Sequence, residues 1–215
     1  MANKEDKGLV VTKVGMTRML ASDGKMVPVT LLKVEDQKVT KILTQDRDGY
    51  DAVQVGYYLK SKKNLTKADV SRLGKVGIEN TYSHFCEFRL KGPSETYQLG
   101  AQMDASLFEG VESVDISGVT KGRGYQGAVK RWGSTIGRMT HGSRFHRRPG
   151  SLGSNTSPGR VVKNKKQPGQ CGVELRTIKN LSVLVVNKEK NIIAVKGSVP
   201  GHREGFLKIK PTNKK

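Results

Sequence analysis

A chain of 215 residues with 39 lysines and arginines against 19 aspartates and glutamates carries a net charge of +20, and only 35% of it is hydrophobic and 6% aromatic. A compact body with that charge repels itself unless a polyanion neutralises it, nucleic acid first and an anionic membrane second, and the lean apolar fraction leaves part of the chain outside any globular interior. Cys86 and Cys171, far apart and without a C-x-x-C pattern, fit free thiols in a reducing cytosol rather than a disulfide scaffold, while the absence of a membrane-length apolar run, and of a signal-peptide core in MANKEDKGLVV, points to a soluble intracellular protein.

The elements follow in chain order. After a short tail at 1–7, GLVVTKVGMT (8–17), MVPVTLLKV (26–34), KVTKILT (38–44) and YDAVQVGYY (50–58) are β-branched runs. They are bounded by turn signals at Ser22-Asp23-Gly24 and Asp48-Gly49 and read as strands. NLTKADVSRLGKVG (64–77) is the best helix, with Thr66 as N-cap and Asp69 in the capping-box position. FCEFRL (85–90) and VESVDIS (111–117) are further strands; LSVLVVNKEKNIIAVKGSV (181–199) is a hairpin turning at Asn187–Asn191, and FLKIKP (206–211) closes the sheet before a tail at 212–215.

Between these strands lies a different kind of chain. From Ile116 to Val173 there are 58 residues without a carboxylate; they hold 12 of the basic residues and 12 of the 25 glycines. Bulky apolar residues there are sparse and follow neither a strand nor a helix period, so the stretch cannot build a core of its own. The organisation expected is a mainly β, barrel-like domain, 8–119 and 173–211, with a helical insertion near 64–77 and one extended arm, 120–172.

KGRGYQGAVKRWG (121–133) contains G-x-G-x-x-G as Gly122, Gly124 and Gly127, followed by Val129. A dinucleotide fold also needs an acid about 20 residues on, for the ribose; that region here is HGSRFHRRPG. A kinase needs H-R-D and D-F-G; His146-Arg147-Arg148 has arginine where the aspartate belongs, and D-F-G is absent. His141, His146 and Cys171 lack the paired spacing of a zinc site, and no nucleophile–base constellation is defined. The expectation is therefore no catalysis, no metal, no cofactor and no small-molecule substrate.

The stretch is suited to phosphates. Glycine lets backbone N–H groups approach phosphate oxygens closely. Lys121, Arg123, Lys130, Arg131, Arg138, Arg144, Arg147, Arg148, Arg160, Lys163, Lys165 and Lys166 supply cations. Trp132, Tyr125, Phe145, His141 and His146 offer flat faces for unpaired bases. Trp132, the sole tryptophan, is equally suited to anchoring the arm at a core.

VTKVGMTR (11–18), DGYDAVQVGY (48–57), DISGVTK (115–121), KGRGYQGAVKRW (121–132), THGSRFHRRPGSLG (140–153), SPGRVVKNKKQPGQCG (157–172) and VKGSVPG (195–201) together resemble the universal large-subunit ribosomal protein three family in its bacterial form. The resemblance runs from about Gly8 to Pro211. It implies a six-stranded β-barrel of the kind shared with translation factors, with a small helical insertion and a long arm. It implies a structural, non-enzymatic protein of the cytoplasmic ribosome that binds 23S ribosomal RNA near its 3′ end early in assembly. The fourteenth and nineteenth large-subunit proteins would be its neighbours, with no membrane involved. It also implies that the arm's tip, Gly153, Ser154, Asn155, Thr156 and Ser157, approaches the peptidyl transferase centre. Some relatives carry an N-methylated glutamine at the position of Thr156, so that modification is expected to be absent here. From the residues alone, a free-standing RNA chaperone with the same basic arm is the alternative.

Overall fold

The computed structural model describes residues 7–20, 24–78, 81–90 and 97–212. Its elements in chain order are β1 (Leu9–Leu20), β2 (Met26–Val34), β3 (Gln37–Leu43), α1 (Gln45–Asp48), β4 (Ala52–Leu59), α2 (Lys67–Lys75), β5 (Tyr82–Arg89), β6 (Ser113–Val119), β7 (Gly124–Gln126), α3 (Ala128–Trp132), β8 (Gly169–Cys171), β9 (Leu175–Asn187), β10 (Ile192–Lys196) and β11 (Phe206–Pro211). The chain divides into two compact units, residues 1–119 with 175–215, and residues 120–174.

The larger unit is mainly β. Six strands pair antiparallel in the order β1-β11-β6-β9-β10-β2, and β2 pairs back onto β1, so the sheet closes into a barrel. Closure leaves these strands no open edge. Leu9, Val11, Leu32, Ile116, Ile193 and Ile209 are buried in its core. Val10 is buried as well, although it lies on the opposite face of β1 from Leu9 and Val11. Its cover is a second sheet, β3-β4-β5, whose Val39, Val53, Val55 and Phe88 belong to the same hydrophobic cluster. A strand covered on both faces is apolar without alternation, which accounts for the run Leu9-Val10-Val11.

Gln37 fastens the two sheets. Its fully buried side-chain amide donates to the Val10 carbonyl and its carbonyl accepts from the Val10 N–H, both at 3.0 Å. A β-bulge at Lys13–Gly15 turns the buried Lys13 ammonium onto the carbonyls of Val199 (2.9 Å) and Gly201 (3.1 Å). This fastens the 197–205 loop to β1; the Lys13 N–H also donates to the Gly205 carbonyl at 3.1 Å.

Helix α2 begins at its expected cap: the Thr66 hydroxyl oxygen accepts from the Asp69 N–H at 3.2 Å. The Asp69 carboxylate reaches the Thr66 hydroxyl (2.7 Å) rather than the Thr66 N–H of a full capping box, since aspartate is one methylene shorter than glutamate. Leu73 of α2 packs with Ile78 and Tyr82 in a small separate cluster.

Two expectations need correction. The insertion between β2 and β6 is not simply helical: β3, β4 and β5 form their own sheet there, with α2 between β4 and β5. Alternation marks a run as a strand but carries no information about which sheet it joins. The basic stretch also contains regular structure that its sparse apolar pattern concealed, the β7–β8 ribbon and α3. Ser22 and Asp23 of the expected turn and most of the two tails lie outside the described residues; Gly24, which ends that turn, has φ of +73°.

Candidate nucleic-acid interface

Residues 120–174 begin and end on one another. The Thr120 N–H donates to the Glu174 carbonyl (2.9 Å), the Glu174 N–H to the Thr120 hydroxyl oxygen (3.2 Å), and the Arg123 N–H to the Cys171 carbonyl (2.8 Å). β7 and β8 continue the ladder through Gly124–Cys171, Tyr125–Gln170 and Gln126–Gly169. Gly172 sits at the turn into this ribbon with φ of +81°; a Cβ there would stand 2.2 Å from the Lys121 carbonyl oxygen.

Helix α3 follows directly. Its last two side chains converge on one acceptor: Arg131 Nη1 (3.0 Å) and Trp132 Nε1 (2.8 Å) both donate to the Gln167 carbonyl. The Arg131 guanidinium lies 4.9 Å from the Trp132 ring centroid. It also crosses Gly169 so closely that a Cβ there would be 2.3 Å from Nη1. Trp132 is 44% exposed, so it is no core anchor. It clamps the two limbs of the ribbon and leaves half its ring open.

Farther out, a second close approach is made by Gly137, whose N–H donates to the His146 carbonyl at 2.9 Å. A Cβ on Gly137 would be 1.8 Å from the Phe145 carbonyl oxygen. The His146 ring lies 3.1 Å, through Nδ1, from the Arg138 carbonyl; a carbonyl only accepts, so Nδ1 is the donor. His141, at φ of +57°, and Gly142 form the turn between Arg138 and Arg144. From Ser151 to Arg160 every residue is exposed, Gly153, Ser154, Asn155, Thr156 and Ser157 included. Within this stretch the Ser151 hydroxyl donates to the Gly153 carbonyl at 2.9 Å.

Of the twelve cations, Lys121, Arg123, Lys130, Arg138, Arg144, Arg147, Arg148, Arg160, Lys163, Lys165 and Lys166 are exposed, and only Arg131 is half-buried. Glu174 is the sole carboxylate in 120–174. Ala128 is the one buried residue of the unit, while Tyr125 (76%), Met139 (63%) and Val162 (61%) stand in solvent. Such a surface has cations to neutralise phosphates and apolar faces to cover, and lacks the internal acids that would satisfy the cations within the chain.

A family model for ribosomal protein L3 matches residues 94–192. Over 208 residues the chain is 42% identical to the large ribosomal subunit protein uL3 of Geobacter sulfurreducens, spanning 97% of this chain and 98% of that one. The chain belongs to the uL3 family. It is also 43% identical over 208 residues to the uL3 of Alkaliphilus metalliredigens (97% and 98% covered) and 41% identical to that of Vibrio cholerae (96% and 99%). Members of this family are structural constituents of the large ribosomal subunit, not enzymes.

In a uL3 chain the G-x-G-x-x-G string serves the chain's own path. Gly124 takes φ of +68°, Gly127 caps α3, and Gly122 lies where a Cβ would be 3.1 Å from Val173. Sequence reasoning missed Gln167, Gly137 and Gly169. Each works through a backbone atom or a missing side chain, for which residue chemistry offers no signal. Among the described residues no group of three or more His, Cys, Asp or Glu could hold a metal, and no helix is long and apolar enough to cross a membrane.

Proposed function

We propose that residues 120–174 are the ribosomal-RNA-binding arm of a large-subunit protein, carried by a barrel of the translation-protein type. The chain is a structural constituent of the large ribosomal subunit in the cytoplasm. On this proposal it binds 23S ribosomal RNA near the 3′ end, acts early in assembly, and sits beside the fourteenth and nineteenth large-subunit proteins. The observation that supports the arm's role is its charge and burial together: twelve cations, one carboxylate and one buried residue in 120–174. A unit of that composition is held in place by what it binds rather than by its own core.

The cations divide by geometry. Arg131 and Trp132 shape the ribbon, and the eleven exposed lysines and arginines meet phosphates. Gly153–Ser157, uncharged and exposed, is proposed to lie beside the peptidyl transferase centre as the tip of the arm. Its small side chains suit close fit to RNA and add little attraction, because the neighbouring cations are Arg148 and Arg160.

The test is the salt dependence of binding to 23S RNA fragments, with cross-linking and RNA sequencing in cells. Each phosphate neutralised contributes a slope of about −0.7 to −0.9 in log K against log salt, so replacing Arg147 and Arg148 together should make the slope shallower by roughly 1.4 to 1.8. Cross-links should concentrate in 23S RNA. A slope unchanged by the double replacement refutes the phosphate role. Cross-links spread evenly over cellular RNA establish a free-standing chaperone instead.

A further inference from the structure

A second acid-free basic stretch lies in the larger unit. Between Asp51 and Asp69 the chain carries Lys60, Lys62, Lys63 and Lys67 and no carboxylate, and all four lysines are exposed. Lys60 is fixed beside the start of β5: its N–H donates to the Thr81 carbonyl at 2.9 Å, and the Thr81 hydroxyl donates to the Lys60 carbonyl.

At the head of this stretch the backbone departs from strand geometry. Tyr58 has φ of +63°, an outlier for a bulky residue. Successive strand residues point to opposite faces, which would send the Tyr57 and Tyr58 rings apart. Here both lie together. Tyr57 is 5.6 Å from His84 and 5.2 Å from Phe206 between ring centroids; Tyr58 is 5.7 Å and 5.4 Å from the same two rings. His84 and Phe206 are themselves 5.9 Å apart. The left-handed residue thus adds a fourth ring to a cluster that an ordinary strand would leave with three. That ring is not buried: Tyr58 is 48% exposed, and His84 is exposed beside it. Lys208 is exposed, lies on the same face of β11 as Phe206, and reaches Cys86, two residues along β5 from His84. Arg203 offsets Glu204 just before it.

The left-handed residue brings an aromatic face into solvent among lysines, and backbone strain of this kind clusters at functional sites. We infer that the Tyr58–His84 face is a stacking platform for an unpaired base of single-stranded RNA, whose adjoining phosphates meet Lys60, Lys62 and Lys208. Aromatic faces take any base, and lysines hold the backbone on either side. The charge favours RNA over a protein partner, because an apolar protein surface would leave these cations uncompensated. This second contact rests on the proposal that the chain is an RNA-binding ribosomal protein, and it adds a site outside residues 120–174.

The test uses the full chain and a short oligoadenylate carrying one 4-thiouridine, photo-cross-linked and mapped by mass spectrometry. Cross-links are expected on the peptide containing Tyr58 and on the one containing His84, in addition to any on 120–174. Unlabelled single strand should compete for them, and a duplex, with its bases already stacked, should not. Tyr58→Gly relieves the left-handed strain and gives up two ring contacts, so its Tm should stay near that of the parent. Its cross-link yield at this site should nonetheless fall about 5- to 150-fold, the range for loss of one stacked base, while Tyr58→Trp should retain the yield. Cross-links confined to 120–174 overturn the platform and leave the arm intact. Equal competition by duplex overturns base stacking in favour of plain phosphate attraction. Unchanged cross-linking in Tyr58→Gly, accompanied by failure to enter large subunits, makes the face a protein contact. Absence of any cross-link to the chain refutes RNA binding as a whole.

Discussion

Gly172→Ala is the sharpest perturbation of the second unit. Two costs combine at this position. An L-residue at φ of +81° is held in the left-handed region, which costs about 1–2 kcal/mol. The new methyl would also stand 2.2 Å from the Lys121 carbonyl oxygen, against an ordinary contact of at least 3.4 Å, so the limbs must part by about 1.2 Å. That displacement breaks the Arg123–Cys171 hydrogen bond, now 2.8 Å, at a net cost of about 1 kcal/mol. The total of about 2–3 kcal/mol falls on a ribbon of three residue pairs. Hydrogen exchange on the full chain should show the amides of 123–126 and 169–171 losing protection about 30- to 150-fold, with β1, β2 and β10 unchanged. Gly127→Ala is the control: it meets no atom within 4 Å and has φ of −67°, so it should cost no more than the cap preference of about 1 kcal/mol. Unaltered exchange at 123–126 in Gly172→Ala would show that the ribbon does not depend on this approach. Equal loss throughout the barrel would show that the two units do not unfold separately.

Gln37→Leu should lower stability by about 2–4 kcal/mol in denaturant unfolding, because the Val10 N–H and carbonyl would both be left buried without partners; a loss below 1 kcal/mol would mean that water or a shifted strand replaces the amide. Exchanging 121–173 for a short Gly/Ser linker should leave a cooperative thermal transition, since Val119 and Leu175 already pair at the ends of β6 and β9 and loop closure is only weakly length-dependent. Loss of that transition would show that the second unit supports the first. Asn155→Arg should keep subunit assembly and RNA affinity within about 1 kcal/mol of the parent, as for an exposed site, while changing the peptidyl transfer rate of the assembled subunits; impaired assembly with an unaltered rate would make the tip an anchor instead.

Legibility in the sequence followed the physics of each feature. Met26–Val34 and Phe206–Pro211 were readable to the residue, because β-branched runs bounded by turns state their own limits. Thr66 was readable as a cap, since its hydroxyl acts on a neighbour three residues away. The charge of 120–174 was plain for the same reason: side-chain chemistry is written in the letters. The membership of β3, β4 and β5 in a separate sheet was not legible, being decided by contacts such as that between Gln37 and Val10, 27 residues apart. Nor was the Arg131–Trp132–Gln167 clamp, whose acceptor is a backbone carbonyl present at every position. Tyr58 reads as an ordinary strand residue, and only its dihedral angle sets it apart.

The order of strands around the barrel has a consequence for biosynthesis. β11 stands between β1 and β6, and it is the last of the six strands to be translated. Val10 and Ile116 therefore lack their neighbour until Phe206–Pro211 has emerged. By then the basic segment has been accessible for the time taken to make β9, β10 and β11, seconds at typical elongation rates of about 5–20 residues per second. The sheet of β3, β4 and β5, drawn from contiguous residues, is free to form much earlier. The nascent chain thus presents its most cationic part before its scaffold can close. During that interval any polyanion within reach can compete for it.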